Sequence, residues 1–278
     1  MIYKNNNLTI DQFDISKLAR KYKTPIYCYS LKKIKENIQN LKNSFKKINP
    51  LICYAVKANS NLGILREIKK SNVGADVVSL GELMKALKVG IKPKKIVFSG
   101  VGKINEEIEY AINKNILLIN AESKSEIFEI EKIAKKKKKI VDVGIRLNPN
   151  TDAKTLRQIS TGKKENKFGV NQNVFLQLVN IVKKSKNLNL KCLSVHIGSQ
   201  ILNDKPYQKM LNVVNKIIKK SNYNFEYIDL GGGMGIDYDH NNSKLNLKKY
   251  SKNIEKFLRE NNCKIIFEPG RSIVGNAA

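Results

Sequence analysis

Apolar and polar residues alternate along the chain with two different periods. Short apolar runs rich in β-branched residues recur eight times and predict strands. Longer stretches between them carry apolar residues three or four positions apart, the spacing of one helix face. The predicted strands are 51–56, 75–78, 95–99, 116–120, 141–147, 191–197, 225–230 and 264–268. The predicted helices that follow the first five strands are 62–71, 81–90, 104–114, 125–136 and 174–184.

This regular alternation of strand and helix predicts βαβ units and a parallel sheet. Eight strands favour a closed (β/α)8 TIM barrel, and an open doubly wound sheet, which usually has fewer strands, is the alternative. We place the barrel domain at 25–278, beginning with an extended run at 25–30 and a helix at about 31–47. Residues 1–24 are polar and irregular, and form either an edge strand of another β-domain or the lead-in to the barrel. The long polar connection 148–170 predicts a functional or mobile loop.

The chain of 278 residues is strongly basic, with a formal net charge of +28. Such a charge could serve nucleic-acid binding, but the lysines are spread over the whole chain without aromatic interleaving or zinc-finger spacing. The densest run, Lys135–Lys139, falls at the end of a predicted helix, where cations interact favourably with the helix dipole. We therefore predict a solvated basic surface, no nucleic-acid partner, and a field that favours small anionic ligands.

Two further patterns bear on the compartment of the protein. No run of about 18 apolar residues is present to span a membrane, and the first residues lack the basic-then-apolar pattern of a signal peptide. We expect a cytoplasmic protein without a membrane partner. The four cysteines, Cys28, Cys53, Cys192 and Cys263, are scattered and form no CxxC pair. They are interpreted as small apolar residues in a reducing compartment, with no metal site.

Residues with chemical potential lie just past the ends of the predicted strands, where the active sites of barrels are built. Lys57 follows the first strand in YAVKANSN. A lysine at the tip of a buried strand is partly desolvated and suited to imine formation, although a lysine reaching solvent is the commoner explanation in so basic a chain. His196 follows the sixth strand, with a satisfied core histidine as the alternative, and His240 is expected on the surface.

Two further groups follow the last two strands. Gly231–Gly233 allow the backbone to approach an anion closely, and the loop after the seventh strand is a usual phosphate site in barrels. A tight turn is the alternative, and the glycines do not fit the GxGxxG pattern of dinucleotide sites. Glu268 and Arg271 end the eighth strand and could hold a protonated ring nitrogen and an anion respectively. A structural ion pair is the other explanation.

Taken together, these segments resemble one family. The motifs are YAVKAN (54–59), HIGSQI (196–201), LGGG (230–233) and EPGR (268–271). In this order they resemble the fold-type III, alanine-racemase-like decarboxylases that use pyridoxal phosphate (PLP), over residues ~8 to 278. HIGSQI, together with TGKKENKFG (161–169), is more similar to the diaminopimelate decarboxylases of that family than to the ornithine or arginine decarboxylases.

The resemblance implies a role for each site residue. Lys57 is expected to hold PLP covalently, Glu268 to keep the ring nitrogen protonated, and His196 to stack on the ring face. Arg271 is expected also to reach a substrate carboxylate, and Asp76 is a weaker candidate beside the Lys57 amine. The residues expected to cradle the phosphate are Ser199, Gly231, Gly232, Gly233, Pro269, Gly270 and Arg271.

The implied activity is that of a PLP-dependent carboxy-lyase that converts meso-2,6-diaminopimelate to L-lysine and CO₂. The alternatives are an ornithine, arginine or carboxynorspermidine decarboxylase, and a PLP-binding barrel without catalysis. Members of the family are usually homodimers with shared sites. Leu156 stands where the family usually has a histidine. The chain stops at Ala278, whereas the family continues into a β-domain with a proton-donating cysteine and substrate-binding residues. We therefore expect a truncated chain that binds PLP weakly and does not turn over substrate.

Overall fold

The computed structural model describes residues 2–4, 6–153, 155, 159–162, 167–239, 241 and 243–278. The chain begins with a small antiparallel sheet of three strands, which is more regular than its polar composition predicted. Its elements are β1 (Ile2–Lys4), β2 (Asn7–Ile10), β3 (Phe13–Asp14) and helix α1 (Ile15–Tyr22). Asp14 caps α1 by accepting hydrogen bonds from the Ser16 and Lys17 amides, which satisfies two of the free N–H groups of its first turn.

Eight parallel strands then close into a barrel. The strands are β4 (Leu51–Ala55), β5 (Gly74–Val77), β6 (Ile96–Phe98), β7 (Leu118–Ala121), β8 (Val141–Leu147), β9 (Leu188–Val195), β10 (Tyr227–Asp229) and β11 (Lys264–Phe267). Each pairs with the next in chain order, and β11 returns to pair with β4. The predicted barrel is therefore confirmed and an open sheet is excluded. Every predicted strand is present, with ends that differ by at most three residues.

Helices surround the barrel and cover its outer face. They are α2 (Leu31–Ser44), α3 (Leu62–Lys70), α4 (Leu80–Lys88), α5 (Asn105–Asn113), α6 (Lys124–Lys136), α7 (Gln172–Lys184), α8 (Lys205–Ser221), α9 (Leu247–Glu260) and the short α10 (Arg271–Val274). α8 and α9 were not predicted from the sequence. In α9 the apolar residues Tyr250, Ile254 and Phe257 are buried at helical spacing within a lysine-rich stretch. None of the described helices is long and apolar enough to cross a membrane.

The interior of the barrel changes from apolar to polar along the strand direction. A small apolar cluster, separate from the large core under the helices, includes Cys53, Val97, Leu118, Cys192 and Ile266. Strand side chains alternate between faces, so the residues two positions farther along point into the same interior. Among these are the polar residues Ser99, Asn120, Ser194 and Glu268. The barrel interior is thus filled by apolar side chains toward the amino ends of the strands and lined by polar groups at their carboxyl ends.

Candidate active site

Lys57 lies directly after β4, in a single 3₁₀ turn at Val56–Ala58. Its Nζ atom is 4.0 Å from Oδ2 of Asp76. The side chain is 56% exposed, so its place at a strand tip desolvates it only in part. The amine reaches the open end of the barrel, with a buried carboxyl group beside it.

Asp76 lies within β5, one strand over from Lys57. The residue is 1% exposed, and among the described residues only Ser99, whose hydroxyl donates to Glu268, offers its carboxyl a weak hydrogen bond. Burial and, to a smaller extent, the neighbouring Glu268 raise the pKa of Asp76 to about 8, although the Lys57 amine opposes the increase. Asp76 is therefore a buried acid with only weak partners in the protein itself.

Glu268 follows β11 and is partly buried at the same end of the barrel. Ser99 donates a hydrogen bond from Oγ to its Oε1 over 3.1 Å. A second hydrogen bond joins its carboxyl group to that of Asp229. Burial raises the pKa of Glu268 well above its usual range, and the neighbouring Asp229 carboxylate adds to this effect. Glu268 is thus held in its protonated form in this environment.

Asp229 is the last residue of β10, and sequence reasoning missed it. It is fully buried, and its oxygens accept hydrogen bonds from Gly231 N over 2.9 Å and from Asn120 Nδ2 over 3.1 Å. Burial raises its pKa to about 6, although these donors favour the charged form. The signal in the sequence is a carboxylate inside the apolar run FEYIDL, directly before the glycines.

His196 follows β9 and its ring is fixed by the glycine loop. Its Nδ1 atom accepts a hydrogen bond from Gly232 N over 3.2 Å, so the proton of the neutral ring lies on Nε2. Burial lowers the pKa of His196 well below its usual range, and the positive charges of Arg146 and Lys57 act in the same direction. The site therefore holds a neutral imidazole in one orientation.

The glycine loop packs too closely for any side chain. A Cβ atom on Gly231 would lie 2.5 Å from His196 Nδ1, and one on Gly232 would lie 2.2 Å from the Glu268 carbonyl oxygen. The N–H groups of Gly231 and Gly232 have protein acceptors, as described above, and so are not available to an anion. The Gly233 N–H has no acceptor among the described residues, and it is the one of the three that an anion can use.

The EPGR turn contacts the turn that carries Lys57. Ala55 N donates a hydrogen bond to the Pro269 carbonyl over 3.1 Å, and a Cβ atom on Gly270 would meet Ala58 Cβ at 2.9 Å. Arg271 donates from Nε to Ser199 Oγ over 3.2 Å, and its guanidinium lies over the ring of Tyr238. Ser199 and Arg271, predicted separately, therefore form one hydrogen-bonded pair at the barrel mouth.

A buried ion pair lies across the barrel from Lys57, on the side of β7 and β8, and was not predicted from the sequence. Arg146, in β8, contacts Glu122 through an NH1–Oε1 distance of 2.8 Å, and both side chains are buried. Glu122 also accepts a hydrogen bond from Gly169 N over 3.1 Å, which ties the end of the long connection to the barrel. The sequence does contain a signal for this pair, since Arg146 is a charged residue near the end of an otherwise apolar strand. Leu156 and His240 lie outside the described residues.

Comparison with known proteins gives consistent matches. The family described as pyridoxal-dependent decarboxylase, pyridoxal binding domain, matches residues 31–275. The diaminopimelate decarboxylase of Helicobacter pylori strain J99 is 46% identical over 95% of this chain and 66% of its own length. That of Campylobacter jejuni is 40% identical over the same shares. The chain thus spans about 66% of the length of these relatives.

Solved structures match in the same way. The crystal structure of Helicobacter pylori diaminopimelate decarboxylase complexed with L-lysine superposes with a TM-score of 0.91 at 44% identity, covering 95% of this chain and 68% of that one. The enzyme from M. jannaschii, also in complex with L-lysine, gives 0.90 at 34% identity, covering 99% and 67%. A lysine/ornithine decarboxylase from Vibrio vulnificus gives 0.80 at 18% identity, covering 95% and 68%, which shows a shared fold alone.

Proposed function

Since the chain belongs to the pyridoxal-dependent decarboxylase family, we propose that it is the cofactor-binding barrel of a diaminopimelate decarboxylase. This activity removes one carboxylate of meso-2,6-diaminopimelate as CO₂ and leaves L-lysine. The substrate assignment is supported by relatives of that name at 37–46% identity. Ornithine, arginine or carboxynorspermidine decarboxylation has weaker support, because the lysine/ornithine decarboxylase match is confined to the fold.

The observation that carries the proposal is the convergence of four groups at one end of the barrel. The amine of Lys57, the carboxyls of Asp76 and Glu268 and the imidazole of His196 come from four different strand ends. They fit PLP, the cofactor of this family, because Lys57 offers an accessible amine for its aldehyde. The buried oxygens of Asp76 have only a long ion pair with Lys57 and a weak hydrogen bond with Ser99, which leaves them able to take a further partner.

Each residue has a distinct task at this site. When bound, PLP supplies an electron sink for the electron pair left by the departing CO₂. Lys57 holds it through Nζ, and Asp76, with its pKa of about 8, can accept or release a proton beside that amine near neutral pH. Glu268 would offer a proton to the ring nitrogen. His196 would cover the ring face, and its neutral imidazole would add no positive charge there.

We assign the phosphate group of PLP to the part of the barrel mouth formed by Gly233, Ser199 and Arg271. The free Gly233 N–H and the Arg271–Ser199 pair offer donors of the kind that bind phosphate oxygens. The backbone of Pro269 and Gly270 brings these donors next to the Lys57 turn. Arg271 also remains the candidate for a substrate carboxylate. Because Gly231 and Gly232 use their N–H groups internally, we assign them a shaping role in the loop.

The cofactor assignment is tested by incubating the protein with PLP, reducing with borohydride and mapping the adduct by mass spectrometry. We expect a phosphopyridoxyl group on Lys57 and its loss in Lys57→Arg. The matched control is Lys85→Arg, which changes an exposed lysine of α4 and should leave the labelling intact. Labelling scattered over surface lysines, in a sample with a native circular dichroism spectrum, would contradict the proposal.

Substrate choice is tested by CO₂ release from diaminopimelate, ornithine, arginine and carboxynorspermidine, with this chain and with any longer product of its gene. The proposal requires the highest kcat/KM for diaminopimelate. A preference for ornithine would replace it with the alternative decarboxylase. Specific labelling of Lys57 without CO₂ release from any of the four would instead indicate a binding barrel without catalysis.

We also propose that the protein acts as a homodimer in the cytoplasm, without nucleic-acid or membrane partners. Four free cysteines suit a reducing compartment. Light scattering tests the homodimer, and a monomer at working concentration would contradict it. Retention on heparin that falls steeply with salt would contradict the absence of a nucleic-acid partner.

We propose further that residues 1–24 are a segment of a β-domain and not part of the barrel. β1, β2 and β3 pair only with one another among the described strands. Tyr3, Phe13 and Tyr22 are exposed on this segment, which leaves apolar surface for another domain. Deletion of residues 1–24 should leave Lys57 labelling by PLP intact. Loss of labelling with loss of the folded barrel would assign the segment to the barrel instead.

A further inference from the structure

Two carboxyl groups lie against each other below the mouth of the barrel. β10 and β11 pair in parallel, with Asp229 opposite Ile266, and Glu268 is two positions farther along. Side chains two positions apart point to the same face of a strand, so both carboxyls face the interior. Their carboxyl groups are in contact. Because two buried carboxylates in contact repel each other strongly, the pair favours a state in which one of them keeps a proton.

The donors around the two groups decide which one holds the proton. Asp229 accepts from Gly231 N at 2.9 Å, Asn120 Nδ2 at 3.1 Å and Ser194 Oγ at 3.4 Å. Within the described part of the chain, Glu268 accepts from one donor, Ser99 Oγ, at 3.1 Å. Hydrogen bonds to a carboxylate favour its charged form. Asp229 is therefore the ionised member and Glu268 the protonated one.

We propose that Asp229 is a positioning residue that keeps Glu268 protonated and oriented, so that its proton is available to the ring nitrogen of PLP. This role rests on the proposed function. With PLP bound, Glu268 would be placed to give its carboxyl proton to the ring nitrogen, which would leave Glu268 as a carboxylate and the ring nitrogen positive, while Asp229 keeps its charge.

Asp229 also accepts a hydrogen bond from Gly231 N, so it could act only by holding the glycine turn in place. Such a purely structural role predicts that the pKa of Glu268 does not depend on the charge of Asp229, and a titration of Glu268 therefore separates the two roles. In cofactor-free protein labelled with ¹³C at the glutamate carboxyls, the Glu268 resonance is the one lost in Glu268→Gln. We expect it to be protonated at pH 7. Asp229→Asn should lower its titration midpoint by roughly one unit or more, because a like charge has been removed. Ser99→Ala should raise the midpoint, because the charged form loses its donor.

The matched control is Asp142→Asn, which makes the same change at the opposite end of the barrel, where Asp142 pairs with Lys191. It should leave the Glu268 midpoint in place. A second readout is the affinity for PLP followed by absorbance. It should decline as pH rises through the Glu268 midpoint, and the decline should begin at lower pH in Asp229→Asn.

Two results would overturn the role of Asp229. One is an ionised Glu268 in the unaltered protein at pH 7, which needs no variant to fold. The other is an unmoved midpoint in an Asp229→Asn protein with a native circular dichroism spectrum. If that variant does not fold, the test uses the protonation state of Glu268 in the unaltered protein and the titration midpoint of Glu268 in Ser99→Ala, which should be raised. Absence of PLP on Lys57 would instead overturn the proposed function, so the two failures are distinguishable.

Discussion

Asp76→Asn should stabilise the cofactor-free protein by an amount that grows with pH. Asp76 is fully enclosed in β5, and Ser99, the described residue that can donate to it, donates to Glu268 instead. Its ion pair with Lys57 is long, at 4.0 Å, and the lysine is half-exposed. This weak pair does not offset the cost of burying the charge. The folded state therefore retains a proton that the unfolded chain has lost.

The sign and size of the effect follow from the pKa of Asp76, which rises from 3.8 to about 8 on folding. Between these values the folded protein binds more protons than the unfolded chain, so the free energy of unfolding falls as pH rises. A full proton of difference costs about 1.36 kcal/mol per pH unit. From pH 5 to pH 7 the advantage of the asparagine variant should therefore grow by about 2.7 kcal/mol.

Urea unfolding of both proteins at pH 5 and pH 7 measures this difference. Any pH-independent cost of burying the amide cancels between the two conditions. Asp239→Asn, which removes an exposed carboxyl, is the control and should stay within about 0.5 kcal/mol of the unaltered protein at both pH values. An Asp76→Asn advantage that is the same at pH 5 and pH 7 would refute the reasoning.

Three further predictions concern the backbone, the glycine loop and the charge. Lys138, two residues past the end of α6, has φ at +52°. Asparagine or glycine holds the same left-handed position after the three preceding helices. Lys138→Gly should therefore raise the free energy of unfolding by about 0.5–1 kcal/mol. Lys135→Gly, inside α6, should lower it by about as much, and equal effects in urea unfolding would contradict this. Gly232→Ala should abolish specific PLP labelling because its Cβ would meet rigid backbone at 2.2 Å, whereas Gly81→Ala, with open space around it, should not. The net charge of +28 predicts a melting temperature that rises with added salt, and a fall in a thermal scan would count against it.

The sequence could predict the barrel because strand and helix periods are local. Once eight parallel strands close, their carboxyl ends must share one face. Lys57, His196, the glycines and EPGR could therefore be grouped without knowing any distance. The exposure of Lys57 could not be predicted, because it depends on the turn that follows β4.

Contacts across the barrel interior were beyond sequence reasoning for a different reason. Asp229 contacts Asn120 from β7, and Arg146 contacts Glu122 just past β7. These partners are defined only when strand register and closure are both fixed, and no local pattern contains that information. The use of two glycine N–H groups inside the protein also depends on these partners, since Asp229 and His196 are their acceptors.

The polar layer of the barrel is better explained by binding than by stability. Two positions before Ser99, Asn120, Ser194 and Glu268, the same strands carry apolar residues that pack together. Continuing that apolar layer would have cost nothing in desolvation, whereas Asp76, Asp229 and Glu268 all have raised pKa values because burial disfavours their charged forms. Residues that break a local rule without a gain in packing are expected at functional sites. The cost falls on the cofactor-free protein, and a cationic or proton-accepting ligand at the mouth would offset it. Ligand binding and stability should therefore be coupled at this end of the barrel and not at the other.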